Sequence, residues 1–203
     1  MLLLPIPTAV VVAAVIVAVS GFHLFTSAPS TPPASAASTL SPGSEAKFSY
    51  LAAQHSNFCS LSKDTVMTYP DNDRIQGACC NPLDAVKYRY QVAGLRAFSN
   101  LPEILTDPYD VSARLAKQLL ADDSSLTLTS AEQSVFTQAK GMTVDHGWCC
   151  CQCWRWYMNE GLAKVLVTKY HMSAQDIAHV IDLTNGCGGP MGADASPSPS
   201  SRS

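Results

Sequence analysis

From Asp145 to Tyr157 the chain reads Asp-His-Gly-Trp-Cys-Cys-Cys-Gln-Cys-Trp-Arg-Trp-Tyr. Four of the eight cysteines of the 203-residue sequence fall within five consecutive positions, flanked by His146 and by Trp148, Trp154 and Trp156. A hydrophobic core does not need sulfur at that density, because apolar side chains without a thiol pack equally well. Cysteines so concentrated act as soft-metal ligands, as redox thiols or as halves of disulfides. Each of these roles ties the segment to partners elsewhere in the chain and so limits the folds open to it.

Which role applies depends on the compartment, and the N-terminus bears on that. No charged side chain occurs from Met1 to Phe25, and Thr8 to Phe22 is almost wholly Ala, Val and Ile. At about 1.5 Å per residue, the stretch from Leu2 to Phe25 is long enough to cross a hydrocarbon core of roughly 30 Å. A cleaved signal peptide would carry a basic segment ahead of its apolar run, whereas the first Lys or Arg here is Lys47. The expectation is therefore an uncleaved single-pass anchor at residues 1–25, with a cleaved signal as the alternative. Either implies an extracytoplasmic domain, at the cell membrane or secreted. Residues 26–46 are rich in Ser, Thr, Pro and Ala and read as an extended linker, and residues 192–203 read as a similar tail. Between them lies a cysteine-rich domain at 47–191. Nucleic acid is excluded as a partner class, since the net charge is −3 and no Lys/Arg block exists.

Within the domain the spacing of apolar residues is helical, and no long alternating pattern is present. Phe48, Leu51 and His55 suit a short opening helix ending near Asn57. Asn81-Pro82-Leu83-Asp84 has the form of an N-cap followed by a first-turn proline, opening a helix to about Phe98. A further helix is expected over Val111 to Ala121. Thr129-Ser130-Ala131-Glu132 has the spacing of a capping box and predicts a helix to Lys140, stopped by Gly141. Trp154 to Lys169 and Ser173 to Leu183 complete an all-α bundle of five or six short helices.

Cys150 and Cys153 form a C-x-x-C pair. With a helix beginning near Cys149, Cys149, Cys150 and Cys153 would share one side, and the helix N-terminus would favour thiolate. Cys79 and Cys80 stand just before the second expected helix, and two such N-termini converging would place four thiolates around Zn²⁺. A smaller set would suit Cu(I). Cys187, in the turn Asn185-Gly186-Cys187-Gly188-Gly189, is placed to close over the site, and His146 is a candidate additional ligand. The expected metal site is thus drawn from Cys79, Cys80, Cys149, Cys150, Cys151, Cys153, Cys187 and His146. Two alternatives stand beside it. One is a disulfide-stapled envelope module with a protein partner. The other is a thiol-disulfide oxidoreductase with Cys150 as nucleophile and Cys153 as resolving thiol.

His146-Gly147-x-x-Cys150-x-x-Cys153, followed by Gly161 and by Ser173-x-x-x-Ile177-x-x-x-Ile181-Asp182, resembles the end of exported bacterial cysteine-rich proteins named for a PCYCGC motif. The PCYCGC string itself is absent here. The resemblance implies a membrane-attached, extracytoplasmic thiolate site that binds a metal ion; it supplies no activity. Taken together, these readings point to a membrane-tethered domain that binds Cu(I) or Zn²⁺ for sequestration, delivery or sensing rather than for turnover.

Overall fold

Six of the seven helices among the described residues begin at a Ser, Thr or Asp whose side chain accepts the backbone N–H three residues on; the seventh begins at a cysteine that forms no side-chain cap. The computed structural model describes residues 39–54 and 60–191. The expected anchor or signal segment, linker residues 26–38, His55 and Asn57, Cys59 and the tail lie outside the described residues. Among those described, no helix is long and apolar enough to cross a membrane.

The helices are α1 (Glu45–Ala52), α2 (Lys63–Met67), α3 (Ala85–Leu95), α4 (Ala113–Ser125), α5 (Ser130–Met142), α6 (Trp154–Thr168) and α7 (Ala174–Thr184). Strands β1 (Arg74–Gln76) and β2 (Asp110–Ser112) pair antiparallel, with Ile75 opposite Val111. The all-α expectation is met in its main outline. The additions, α2 and the two strands, are three to five residues long, too short for hydrophobic periodicity to register. At Thr129 both arms of the capping box form, and Ser173 caps α7.

Several boundaries differ from expectation. Asp84, not Asn81, caps α3, because the backbone from Cys79 to Pro82 is engaged elsewhere, as described below. Val111 belongs to β2, so the next helix starts only at Ala113. Helix α5 runs through Gly141 to Met142. The ordered region also starts ahead of Lys47, since Ser44 caps α1 and the Gly43 N–H donates to the Tyr88 hydroxyl at 3.0 Å.

Helix α6 is the centre of the core. Trp154, Met158, Leu162 and Leu166 recur at its helical spacing and are fully buried. Along one side lies α4, with Ala116 and Leu119; α5 and α7 cover the rest through Phe136, Ile177, Val180 and Ile181. Contact between α4 and α6 is backbone to backbone at Gly161, where an added Cβ would stand 1.9 Å from the Leu119 carbonyl oxygen. A smaller cluster of Tyr50, Leu51, Tyr88, Val92 and Tyr109 joins α1, α3 and the segment before β2.

Beside that cluster Asp110, itself buried, accepts from Lys47, from Arg74 Nε at 2.5 Å and from Gln76 Nε2 at 3.0 Å. Burial opposes charge on this carboxyl, but the Arg74 and Lys47 hydrogen bonds outweigh it and hold its pKa below the usual range. Removing one member of such a buried pair strands the other charge, at a cost of about 3–5 kcal/mol. Asp110→Ala is therefore expected to destabilise the domain by that amount in urea unfolding. Lys47→Met in the Asp110→Ala background should recover a large part of the loss; no recovery would show that Lys47 is not the stranded charge.

Gly161→Ala tests the helix crossing, because overpacking against a fixed backbone costs about 3 kcal/mol. A loss below about 1 kcal/mol in the same measurement would mean that α4 and α6 separate easily.

Candidate metal centre

Three stretches far apart in sequence meet at one end of α6. The first is Cys79 to Pro82. Its N–H groups pair with the Gly186–Gly189 turn in a short backbone ladder: Cys79 N to Gly186 O at 2.9 Å, and Cys80 N and Asn81 N to Cys187 O at 3.2 and 2.9 Å. Gly189 N returns to Pro82 O at 2.8 Å. The Gly189 N–H occupies the Pro82 carbonyl that a helix capped at Asn81 would offer to the N–H four residues on, which is why α3 starts later. Gly188 has φ +72°, and a Cβ there would stand 2.2 Å from the Asn81 carbonyl oxygen, so only glycine permits this approach.

The second stretch is the turn carrying Cys187. Asn185 Oδ1 accepts the Cys187 N–H at 2.9 Å, its Nδ2 donates to Asp145 at 2.7 Å, and its carbonyl accepts from Gln91 Nε2 at 2.7 Å. Gln91 is in turn fixed by the Tyr109 hydroxyl, which donates to its Oε1 at 2.9 Å. Lys87 Nζ reaches the Gly188 carbonyl at 3.0 Å.

The third stretch is Cys149 to Cys153. It is irregular, not the first turn of a helix: α6 starts at Trp154, and Cys153 occupies its cap position in extended conformation. Preceding residues are tied down by Thr143, whose hydroxyl accepts the Gly147 N–H at 3.0 Å, and by Asn159 Nδ2, which donates to the Trp148 carbonyl at 2.8 Å. Trp148 stacks at a tilt on Phe136, ring centres 4.6 Å apart.

The result is a web of sulfur. Cys79 and Cys153 Sγ are 3.7 Å apart, Cys149 and Cys187 3.0 Å, and Cys150 and Cys187 2.9 Å. The Sγ atoms of Cys149, Cys151 and Cys153 lie within 4.8 Å of one another, as do those of Cys79, Cys80 and Cys151 and those of Cys80, Cys150 and Cys187. Six of these cysteines, Cys79, Cys149, Cys150, Cys151, Cys153 and Cys187, remain thiols. Their separations far exceed a disulfide bond of about 2.05 Å. Two ligands of one tetrahedral ion at about 2.3 Å from the metal stand roughly 3.8 Å apart, close to the Cys79–Cys153 separation.

One expected ligand, His146, belongs to none of these groups, and another, Cys80, belongs to two of them but is not among the thiols. Cys80 is disulfide-bonded, although its sulfur is 3.3 Å from Cys150 and 3.7 Å from Cys151. His146 is exposed, has φ 49°, and places Nδ1 3.0 Å from the Gly141 carbonyl oxygen.

Hydrogen bonding within the web favours thiolate at two of the sulfurs, Cys153 and Cys187. Hydrogen bonds from the Cys149 and Cys79 thiols hold Cys153 far below the ordinary thiol range, overcoming burial, and the Arg155 N–H adds to them. Hydrogen bonds from Cys149 and Cys150 bring Cys187 down to about 6. The donors move the other way. Cys79 and Cys149 are raised by the thiolates they serve and by burial, and Cys150 is raised by burial and by its bond to Cys187. An oxidoreductase with Cys150 as the attacking thiolate needs the reverse at that residue.

One residue of the site was not singled out in the sequence. Arg155 is wholly buried, and Nε and both terminal nitrogens find no hydrogen-bond partner among the described residues. Its guanidinium lies over Trp154, 4.8 Å from the ring centre, and against Gly186, where a Cβ would stand 2.3 Å from Cζ. Its charge favours thiolate at Cys79 and Cys187. The only signal in the sequence is its position, a cation between two tryptophans beside four cysteines.

No protein-family model matches the chain, and no curated protein or solved structure matches it. What the fold and the site define is a helical domain with a cysteine cluster able to hold a metal ion.

The loop anchors generate a pH prediction. Asp182 on α7 accepts the Val144 N–H at 3.0 Å, and burial, reinforced by Asp145, raises its pKa from 3.8 to about 6. The folded state therefore holds the proton more tightly than the unfolded chain, so the stability linked to Asp182 is present at low pH and lost as pH rises through about 6. Asp182→Asn should flatten that part of the stability profile, raising the urea midpoint at pH 7.5 more than at pH 5. An equal shift at both pH values would remove Asp182 as the source.

Proposed function

We propose that this protein binds a soft metal ion, Cu(I) or Zn²⁺, through its clustered cysteine thiolates, and that it sequesters or passes on the ion. The observation that carries this reading is Arg155. A buried guanidinium without hydrogen-bond partners is costly unless negative charge lies close by. Its charge favours thiolate at Cys79 and Cys187, and the Arg155 backbone N–H adds a hydrogen bond to Cys153. Thiolates buried at van der Waals contact repel one another in turn, and a bound cation removes that repulsion. Arginine and metal together would hold a set of thiolates that neither the core nor water would stabilise.

Access is graded across the site. Cys79, Cys149, Cys153 and Cys187 are buried, Cys151 is half-buried and Cys150 is exposed. A soft ion would enter and leave by ligand exchange at the exposed edge. Retention would come from the buried sulfurs. With the apolar N-terminal stretch as tether, we place this exchange outside the cytoplasm, at a membrane surface.

The test uses the full chain in detergent, reduced and metal-free, loaded anaerobically with Cu(I) or Zn²⁺ against a colorimetric chelator. At a hundredfold excess over Kd, loading should stabilise the fold by about 2.7 kcal/mol and raise Tm by roughly 5–10 °C. Cys153→Ser and Cys187→Ser should each abolish most of that gain while the helical circular dichroism persists. A folded, reduced chain that keeps neither metal against a weak chelator would overturn the proposal.

A further inference from the structure

The cluster holds more thiols than one ion can use, and their arrangement is not that of one ligand set with spares. A tetrahedral Zn²⁺ takes about four thiolates, and Cu(I) takes fewer still; six are present as thiols. Cys79 pairs with Cys153 at 3.7 Å, and Cys150 pairs with Cys187 at 2.9 Å. The remaining two sulfurs each touch both pairs. Cys149 lies within 4.8 Å of Cys153 and 3.0 Å from Cys187. Cys151 lies within 4.8 Å of Cys79 and Cys153, and it interacts through its sulfur with Cys150.

We infer that the site is dinuclear: Cys149 and Cys151 bridge two metal ions, with Cys79 and Cys153 completing the shell of one and Cys150 and Cys187 that of the other. This rests on the metal-binding reading above and deepens it. Two four-coordinate ions need eight ligand positions, which six thiolates fill only when two of them bridge. The two sulfurs that touch both pairs supply that number.

Charge favours Zn²⁺ over Cu(I) in this arrangement. Six thiolates around two Zn²⁺ carry a formal charge of about −2, against about −4 around two Cu(I). Arg155 is a single buried guanidinium against the site, and it offsets the smaller charge far better. Cys80 is no part of the set: its sulfur is within 4.8 Å of members of both pairs, yet it is held in a disulfide.

The experiment counts ions and detects the bridge separately. The full chain in detergent, with the Cys80 disulfide retained, is titrated anaerobically with Zn²⁺, and with ¹¹³Cd²⁺ as a spectroscopic substitute; native mass spectrometry gives the stoichiometry. Two ions per chain are expected, with two ¹¹³Cd resonances split by mutual coupling through the shared sulfurs. Cys80→Ser should leave both readouts unchanged. Cys79→Ser removes a terminal ligand and should reduce the count to one while the pair Cys150 and Cys187 still loads. Cys149→Ser removes one of the two bridges and should reduce the coupling, which Cys151 alone would then carry, and weaken both sites, by at least tenfold each. One ion per chain, or two uncoupled resonances, overturns the dinuclear arrangement and leaves metal binding intact. No retention of Zn²⁺, Cd²⁺ or Cu(I) overturns the metal-binding reading itself. Circular dichroism of each variant separates loss of a ligand from loss of the fold.

Discussion

A wholly buried guanidinium with no hydrogen-bond partner among the described residues makes the rest of this domain conditional on what surrounds it. Arg155 brings a wholly buried guanidinium to the first turn of α6. It has to be matched by anions, and the sulfurs packed around the start of α6 are the groups that can become anionic. Burial alone would keep those thiols protonated, as the raised Cys150 and Cys151 show. Thiol hydrogen bonds, above all from Cys149, lower the pKa of Cys153 and Cys187, with the Arg155 N–H adding at Cys153 and its guanidinium charge at Cys187. The glycine at 186 is part of the same constraint, since any side chain there would occupy the space of the guanidinium.

The frame around the site is built to keep three separate stretches in register. Cys79 and Cys187 are joined not through their side chains but through the backbone ladder between their stretches. Behind Cys187, the chain of hydrogen bonds through Asn185, Gln91 and Tyr109 runs into the polar cluster near β2. Behind Cys149–Cys153, α6 is pinned to α4 by the close crossing at Gly161. A thiolate site assembled from mobile loops would have to order them on binding. Here much of that conformational cost is met by the fold before any ion arrives, which favours affinity.

What was legible in the sequence follows the range of the interaction concerned. Thr129 and Ser173 announce helix starts through contacts three residues long, and both are found as read. Helix α6 shows itself through the spacing of Trp154, Met158, Leu162 and Leu166. The convergence of Cys79 and Cys187 on the main cluster was also readable, from the chemistry that thiols require. Asn81-Pro82 misled because a local capping signal was overridden by a ladder to residues more than a hundred positions away, which no local pattern encodes. The same holds for Cys149–Cys153: a helical C-x-x-C was the local reading, whereas the observed turn is set by Thr143, Asn159 and the sulfur contacts themselves. His146 was drawn in by proximity in sequence, yet it belongs to none of the sulfur groups.

The division of the thiols between interior and surface bears on what a site of this kind is for. A structural metal site is closed on all sides, since its ion never needs to leave. This one buries Cys79, Cys149, Cys153 and Cys187 but leaves Cys150 at the surface with Cys151 half-covered beside it. The exposed Cys150 lies 2.9 Å from the buried Cys187, so a ligand lost at the rim is lost next to a thiolate that stays in place. On the proposed reading, an ion held in this way would be handed over one bond at a time to an incoming thiolate, without passing through a bare state. The helical scaffold would not need to move, and the gradient of burial across the sulfurs would set the direction of release.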